Sequence, residues 1–358
     1  MQRILTKILL LFPIPVVMFV VSFLGDPANL FNNGSYETKV ASILLAGKNA
    51  AGISNYDERL VQKEYADKTS KAKDVMVFGS SRAMQINSAM FTGKTFYNCS
   101  VSGATLEDMT AIYWRYHVKS HQPSLIIFSL EPFILNQNNG QIRWMSLSDD
   151  AFEMSKVLNT ENCLPTPALV TITKSKKLLE AFSPSYFRQS LALLLSNKKE
   201  VLYPTDDNQG DLAIKVRDGS HSYDKKFRTK TRDAIEAEAV AFAKMNPVYS
   251  LGDFNVLAPE KVKMFEAFIK LLQRDNVEIE FFLPPYHPTA YDMIIASGKY
   301  KMVPEAESYF LKVARANKIR VYGSYDPKNV GLGPDDFFDG PHPKRAAVER
   351  IFKSERHI

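Results

Sequence analysis

The chain has 358 residues, 45% of them hydrophobic, 23% charged and 11% aromatic, enough to bury one large core or two ordinary ones without disulfide or metal staples. Its net charge of +6 is spread along the sequence with no arginine-rich run and no nucleic-acid signature, so nucleic acid is not an expected partner; a basic surface suits anionic lipid or polymer as well. Cys99 and Cys163 are too few for a disulfide framework and too scattered for a zinc site. Both are expected as buried apolar residues, with a single bridge left open for a chain outside the cytoplasm.

Arg3 and Lys7 precede a nearly unbroken apolar run over 8–24. The run is near the lower limit of about 17 residues for crossing a bilayer. It ends Val21-Ser22-Phe23-Leu24-Gly25-Asp26-Pro27, without a clear small-x-small cleavage site. The expectation is a retained N-terminal transmembrane helix over 1–24. Positive charge before it places the N-terminus inside and the remainder on the extracytoplasmic side, in the periplasm or at the cell surface. A cleaved signal peptide and a buried soluble helix are the alternatives. Residues 25–70 read as a polar juxtamembrane segment, with a turn at Asn32-Asn33-Gly34-Ser35 and a charged helix over 56–72.

From about residue 71 to 358 apolar strands alternate with helical patterns. Strands are expected at 75–78, 95–97, 125–128, 279–283 and 319–322, and helices at 106–119, 259–273, 304–317 and 343–353. Helix-length segments between mostly apolar strands predict an α/β domain, a three-layer parallel sheet with helices on both faces. A largely helical insertion over about 140–257 separates the third and fourth strands, helical through 199 and mixed beyond, and is expected to form a cap or subdomain.

Val77-Phe78-Gly79-Ser80-Ser81-Arg82 stands where the first strand ends. Ligands bind at the carboxyl ends of strands in open parallel sheets. A serine there, opening a helix, can turn its own N–H and the positive end of the helix dipole toward a developing oxyanion, and glycine before it permits a sharp turn. The plain alternative is a strand-to-helix turn with serine as N-cap. Near the other end stands Asp339-Gly340-Pro341-His342. A serine nucleophile needs a base, and the base needs an orienting acid. Asp and His three residues apart on one loop can face one cleft.

An early Gly-x-Ser after the first strand and a late Asp-x-x-His before the last helix resemble the SGNH/GDSL superfamily of serine esterases and acyltransferases. The resemblance covers about 70–358, interrupted by the insertion, and implies a flavodoxin-like sheet with no cofactor or metal. It implies Ser81 as nucleophile, His342 as general base and Asp339 as its partner; Ser80 takes the place where the family often has Asp. Asn98-Cys99-Ser100-Val101-Ser102-Gly103 resembles the second family block, which implies the N–H groups of Gly103 and Ser81 as oxyanion donors. One block departs: the family usually has an Asn just after the third strand, and here the chain reads Phe128-Ser129-Leu130-Glu131-Pro132, with Asn136 the nearest substitute. Anchor and motifs together are similar to a narrower group, the membrane-anchored proteins of envelope modification of the D-alanine-transfer and alginate-O-acetylation type, which are associated with membrane-bound O-acyltransferases.

Arg82 beside the nucleophile can pair with a substrate anion or with Glu131. Tyr286 and His287, in Leu283-Pro284-Pro285-Tyr286-His287-Pro288 after the fourth strand, are candidates for substrate contact or a rigid turn. Asp218-Gly219-Ser220-His221 reads as a turn or a cap loop over the cleft. His117 and His121 have the spacing of a zinc helix without the following Glu, and Gly93-Lys94-Thr95 resembles a phosphate loop whose first glycine would fall at Ser88; both are set aside. The function expected is O-acylation or O-acetylation of an envelope polysaccharide or glycopolymer through a Ser81 acyl-enzyme. The alternatives are an SGNH esterase or deacylase, and a non-catalytic scaffold for a membrane-bound O-acyltransferase.

Overall fold

A computed structural model describes residues 13–26, 31, 34–179, 182–195 and 202–354. The chain begins with α1 (Pro13–Gly25), α2 (Ser35–Leu45), the short strand β1 (Asn49–Ala51) and α3 (Glu58–Lys68). The expected strand series follows as β2 (Val75–Phe78), β3 (Phe96–Asn98) and β4 (Leu125–Ser129), with α4 (Leu106–His117) between the last two. The insertion contains α5 (Ser148–Leu158), α6 (Pro167–Leu179), α7 (Pro184–Leu195), three short strands β5 (Tyr203–Thr205), β6 (Ile214–Lys215) and β7 (His221–Ser222), then α8 (Lys225–Arg228) and α9 (Arg232–Ala243). The series resumes with α10 (Pro259–Arg274), β8 (Glu278–Leu283), α11 (Pro288–Ala296), α12 (Met302–Asn317), β9 (Arg320–Gly323) and α13 (Arg345–Lys353).

Five strands form one sheet in the order β3-β2-β4-β8-β9, and every pairing is parallel. The strand order reverses at β2, a topological switch point whose carboxyl edge is where such sheets bind ligands. Successive side chains alternate between faces. Met76, Phe78, Ile126, Phe128, Phe281 and Val321 pack beneath Tyr65, Tyr113, Phe268 and Phe310 of α3, α4, α10 and α12. Val75, Val77, Ile127, Phe282 and Tyr322 point the other way, against Ala347, Val348 and Ile351 of α13. Both faces are therefore dry, which is why these strands read as apolar runs rather than as an alternation.

Residues 35–68 are not a segment lying beside the domain. Val40, Ala41 and Leu44 of α2 and Val61, Tyr65 and Ala66 of α3 are buried in the main core. Their apolar positions recur at helical spacing inside an otherwise polar sequence, so average polarity concealed a buried face. β1 lies in a second, antiparallel sheet of order β5-β1-β6-β7, with the insertion supplying its other strands. The insertion is also joined to the core, since Ala151 and Met154 of α5 are fully buried there.

The expected transmembrane helix is not supported by the described residues. None of the described helices is both long and apolar enough to cross a membrane. α1 has 13 residues, and 1–12 of the expected anchor lie outside the described residues. α1 packs along α7, where a Cβ on Gly25 would lie 2.6 Å from the Ser190 carbonyl oxygen, so glycine sets how closely these helices approach.

Candidate active site

β2 delivers Ser81 to the carboxyl edge of the sheet through a turn that its sequence dictates. A Cβ on Gly79 would sit 2.4 Å from Ser129 Cβ on β4, so only glycine lets the chain pass there. Ser80 is the N-cap of a short 3-10 turn, Ser81–Ala83: its Oγ accepts the Arg82 N–H at 3.1 Å and donates to Glu131 Oε1 at 2.5 Å. With the Ser80 hydroxyl engaged in this way, Ser81 is the serine that faces His342.

The second half of the site comes from the loop between β9 and α13. Phe338 N–H donates to the His342 carbonyl at 2.9 Å and His342 N–H to Asp339 Oδ1 at 2.8 Å, closing a tight turn that presents both side chains. His342 Nε2 lies 2.9 Å from Ser81 Oγ, and His342 Nδ1 lies 2.9 Å from both Asp339 oxygens. Burial alone would raise the Asp339 carboxyl, but the charge and hydrogen bonds of His342 more than offset it, so the group sits below its ordinary value and is ionised at neutral pH. An ionised carboxylate only accepts, so Nδ1 carries the ring hydrogen and Nε2 is left to accept from Ser81.

Gly103 has φ +60, a left-handed conformation suited to glycine, and borders the same cavity as Ser81 and His342. Neither the Ser81 nor the Gly103 N–H donates to any group among the described residues. Behind Gly103 the loop is held by α3. Glu58 accepts both the Ser102 N–H and its hydroxyl, the latter at 3.0 Å, and Arg59 donates to the Ser102 carbonyl at 3.1 Å while pairing with Asp108 at 2.6 Å.

Asn136 does not take the place of the asparagine that the resemblance leads one to expect: its amide donates to the Ser250 and Gly252 carbonyls at 3.1 and 3.0 Å, away from the cavity lining. Glu131 follows β4 instead, with one oxygen on Ser80 and the other on Arg82. Arg82 also donates to the Pro341 carbonyl at 2.8 Å and to the Pro284 carbonyl, and its guanidinium lies 4.0 Å from the centroid of the Tyr286 ring. Arg82, Glu131 and Tyr286 therefore border the cavity with the charges of the first two satisfied within the protein. Burial pushes the Tyr286 hydroxyl up to about 12. His287 is not part of the cavity lining. It is fully buried, its Nδ1 caps α11 at Thr289 and its N–H holds the Gly340 carbonyl at 2.8 Å, so it braces the Asp339–His342 turn from beneath rather than contacting a substrate.

The cavity measures about 540 Å³. Part of its wall was not legible in the sequence: Glu238, Ala241 and Phe242 of α9, with Met245 and Tyr249 just beyond, all come from the insertion. Nothing in 232–249 marks a site, because it reads as an ordinary half-polar helix and loop. The hairpin Asp218–His221 docks beside the turn that carries Ser81. Gly219 lies so close to Asn98 that a Cβ would be 2.3 Å from its carbonyl oxygen, and His221 N–H donates to Met84 at 2.9 Å. The His221 ring lies 4.8 Å from Tyr223, whose ring lies 6.0 Å from that of His342. His117 pairs with Asp275 at 3.1 Å, and no group of metal-binding side chains occurs among the described residues. Thr95, in the stretch resembling a phosphate loop, is tied through its N–H and hydroxyl to Asp74. Cys99 and Cys163 are free and buried.

Fold and site together describe a parallel α/β protein carrying a Ser–His–Asp constellation at the switch point of its sheet. The chain matches the model of a family described as a protein of unknown function (DUF1574) over residues 4–326, and belongs to that family. The match takes in Ser81, Arg82 and Glu131 and ends before Asp339 and His342. No curated protein and no solved structure matches the chain.

Proposed function

We propose that this protein is a serine acyltransferase of SGNH type that passes an acyl group through a Ser81 ester to a hydroxyl of an envelope polysaccharide or other glycopolymer. The observation that carries the proposal is the 2.9 Å approach of His342 Nε2 to Ser81 Oγ with Asp339 on the other ring nitrogen. Numbered by their own order in the chain, the parallel strands run 2-1-3-4-5, the flavodoxin-like arrangement, which suits the same family.

In the first half-reaction His342 takes the Ser81 proton as Oγ attacks the donor carbonyl. The Ser81 and Gly103 N–H groups receive the oxyanion, and His342 returns the proton to the leaving oxygen as its bond to carbon breaks. In the second half the acceptor hydroxyl gives its proton to His342 and attacks the acyl-enzyme, and Ser81 recovers its proton as the new ester leaves. An esterase differs only in taking water as acceptor. A scaffold for a membrane-bound O-acyltransferase is favoured by one observation, Glu131 standing where the family has its third oxyanion donor; removing such a donor elsewhere costs about 100- to 1000-fold.

The domain is proposed to lie on the extracytoplasmic face, held by the N-terminal segment. The support is the exposed apolar surface of α1 (Ile14, Val17, Phe19 and Phe23) and the exposed Leu194 and Leu195 of α7, together with the cationic Arg3 and Lys7. Recovery of a mature soluble protein lacking 1–24 on fractionation would remove the anchor from the proposal. The chemistry is tested by offering an activated acyl ester with and without a polysaccharide acceptor. Ser81-dependent ester on the polymer is expected. Release as free acid at the same rate with either means an esterase, and no acylation of Ser81 at all means a scaffold.

A further inference from the structure

We infer that the acyl group carried by Ser81 is an uncharged apolar chain longer than acetyl, seated against the wall that the insertion contributes. The inference rests on the reading of Ser81 as nucleophile. The cavity of about 540 Å³ falls within the range of about 300–1,000 Å³ that holds whole small-molecule ligands, and an acetyl group would leave most of it empty. Beyond the Ser81–His342 pair, the apolar part of its wall is made by Phe133, Ala241, Phe242, Met245 and Tyr249, with Arg82, Glu131 and Glu238 also on the lining. Phe133 and Tyr249 meet edge to face at 5.9 Å, and a Cβ on Gly340 would lie 2.7 Å from Phe242 Cβ. The apolar wall thus reaches from the loop after β4 to the histidine turn.

Every charged side chain on the described lining already has a partner. Arg82 meets Glu131 at 2.6 Å, Glu238 meets Lys230 at 2.5 Å, and Asp339 meets His342 at 2.9 Å. A charged group seated against the Ala241–Phe242 wall would lose its water to apolar side chains, which is costly; the further cation, Arg143, stands on the Tyr249 hydroxyl at 3.1 Å, at the Gly103 end of the cavity. The leaving and accepting oxygens must both meet His342 Nε2, and the oxyanion must meet the two N–H groups. The remaining substituent of the carbonyl carbon, the acyl chain, is left with the apolar part of the cavity.

The test uses the full-length protein in detergent with p-nitrophenyl esters from acetyl to octanoyl, alongside acetate esters of alcohols lengthened in parallel. Specificity, kcat/KM, is expected to rise about fourfold per added acyl methylene until the cavity is full. Lengthening the alcohol should have little effect. Ala241→Trp should lower the octanoyl-to-acetyl ratio at least tenfold. Labelling of Ser81 by alkyl fluorophosphonates of increasing length reads the same preference without turnover. If Ser81-dependent rates are flat or greatest for acetyl, or if alcohol length governs them, the inference is overturned while the nucleophile stands. If neither esters nor probes of any length modify Ser81, the nucleophile itself is wrong.

Discussion

Arg82 and Glu131, 49 residues apart in sequence, meet at 2.6 Å with both side chains buried beneath the candidate site. Through this pair, the Ser80 hydroxyl on Glu131 and the Pro284 and Pro341 carbonyls on Arg82, the loops after β2, β4, β8 and β9 are held in one register. Removing one partner leaves a buried charge unpaired. Arg82→Ala or Glu131→Ala is expected to cost about 3–5 kcal/mol in urea unfolding. The joint replacement Arg82→Met with Glu131→Leu should recover part of that stability while still lowering Ser81 reactivity, because the loops lose their common tie. Equal stability for the single and joint variants would contradict the role given to the pair.

A fluorophosphonate probe followed by peptide mapping should place the label on Ser81. Ser81→Ala should abolish it, whereas Ser80→Ala should retain a slower labelling, since Ser80 spends its hydroxyl on Glu131. Label on Ser80, or undiminished label in Ser81→Ala, would reverse the assignment.

Asp339→Asn keeps the shape of the turn but can favour the wrong imidazole tautomer. A loss of about ten-thousandfold in kcat is expected. The stabilisation from the Asp339 carboxylate is present above its ordinary titration range and is lost as pH falls through its lowered value. The asparagine variant should therefore unfold with a weaker acid dependence than the parent, read as the urea midpoint against pH.

His221 titrates in the opposite sense. Burial first, then the positive charges of Lys215, His342 and Arg345, push it from 6.5 down to about 3. The unfolded chain takes up a proton near pH 6.5 that the folded chain refuses until about 3, so stability declines as pH drops through that window and carries no such penalty above it. One proton corresponds to a slope of about 1.4 kcal/mol per pH unit. His221→Gln should flatten the decline between neutral pH and about pH 4. An unchanged slope would show that the ring is not held neutral.

What the sequence disclosed, and what it did not, follows from the range of the interactions involved. β2 and β8 are apolar runs that sheet burial requires on both faces, and Ser81, Asp339 and His342 sit in short motifs whose function depends on neighbours one to three residues away. α2 and β1 were hidden, and α3 was legible as a charged helix but not as a buried one, because their buried faces are brief and set among charges. The cavity wall at Ala241 and Phe242 and the bracing by Glu58 and His287 exist only through contacts between distant segments. Arg82 and Glu131 could be picked out from their places in the sequence beside Ser81 and after β4, yet that each takes the other as its partner is decided by burial, which no local pattern encodes.

β1 has a consequence for how the protein can be shortened or inherited. It lies between β5 and β6, so the N-terminal segment and the insertion are woven into one fabric, and α3, which follows β1, supplies the Glu58 and Arg59 that grip Ser102. A fragment trimmed to residue 71 would keep Ser81, Asp339 and His342 but would open two strand edges and loosen the loop bearing Gly103. A shortened form that keeps this weave must therefore begin ahead of Ser35. For the same reason, a lineage that discarded the insertion strands would have to rebuild the start of the chain as well, so the two segments should be gained and lost together.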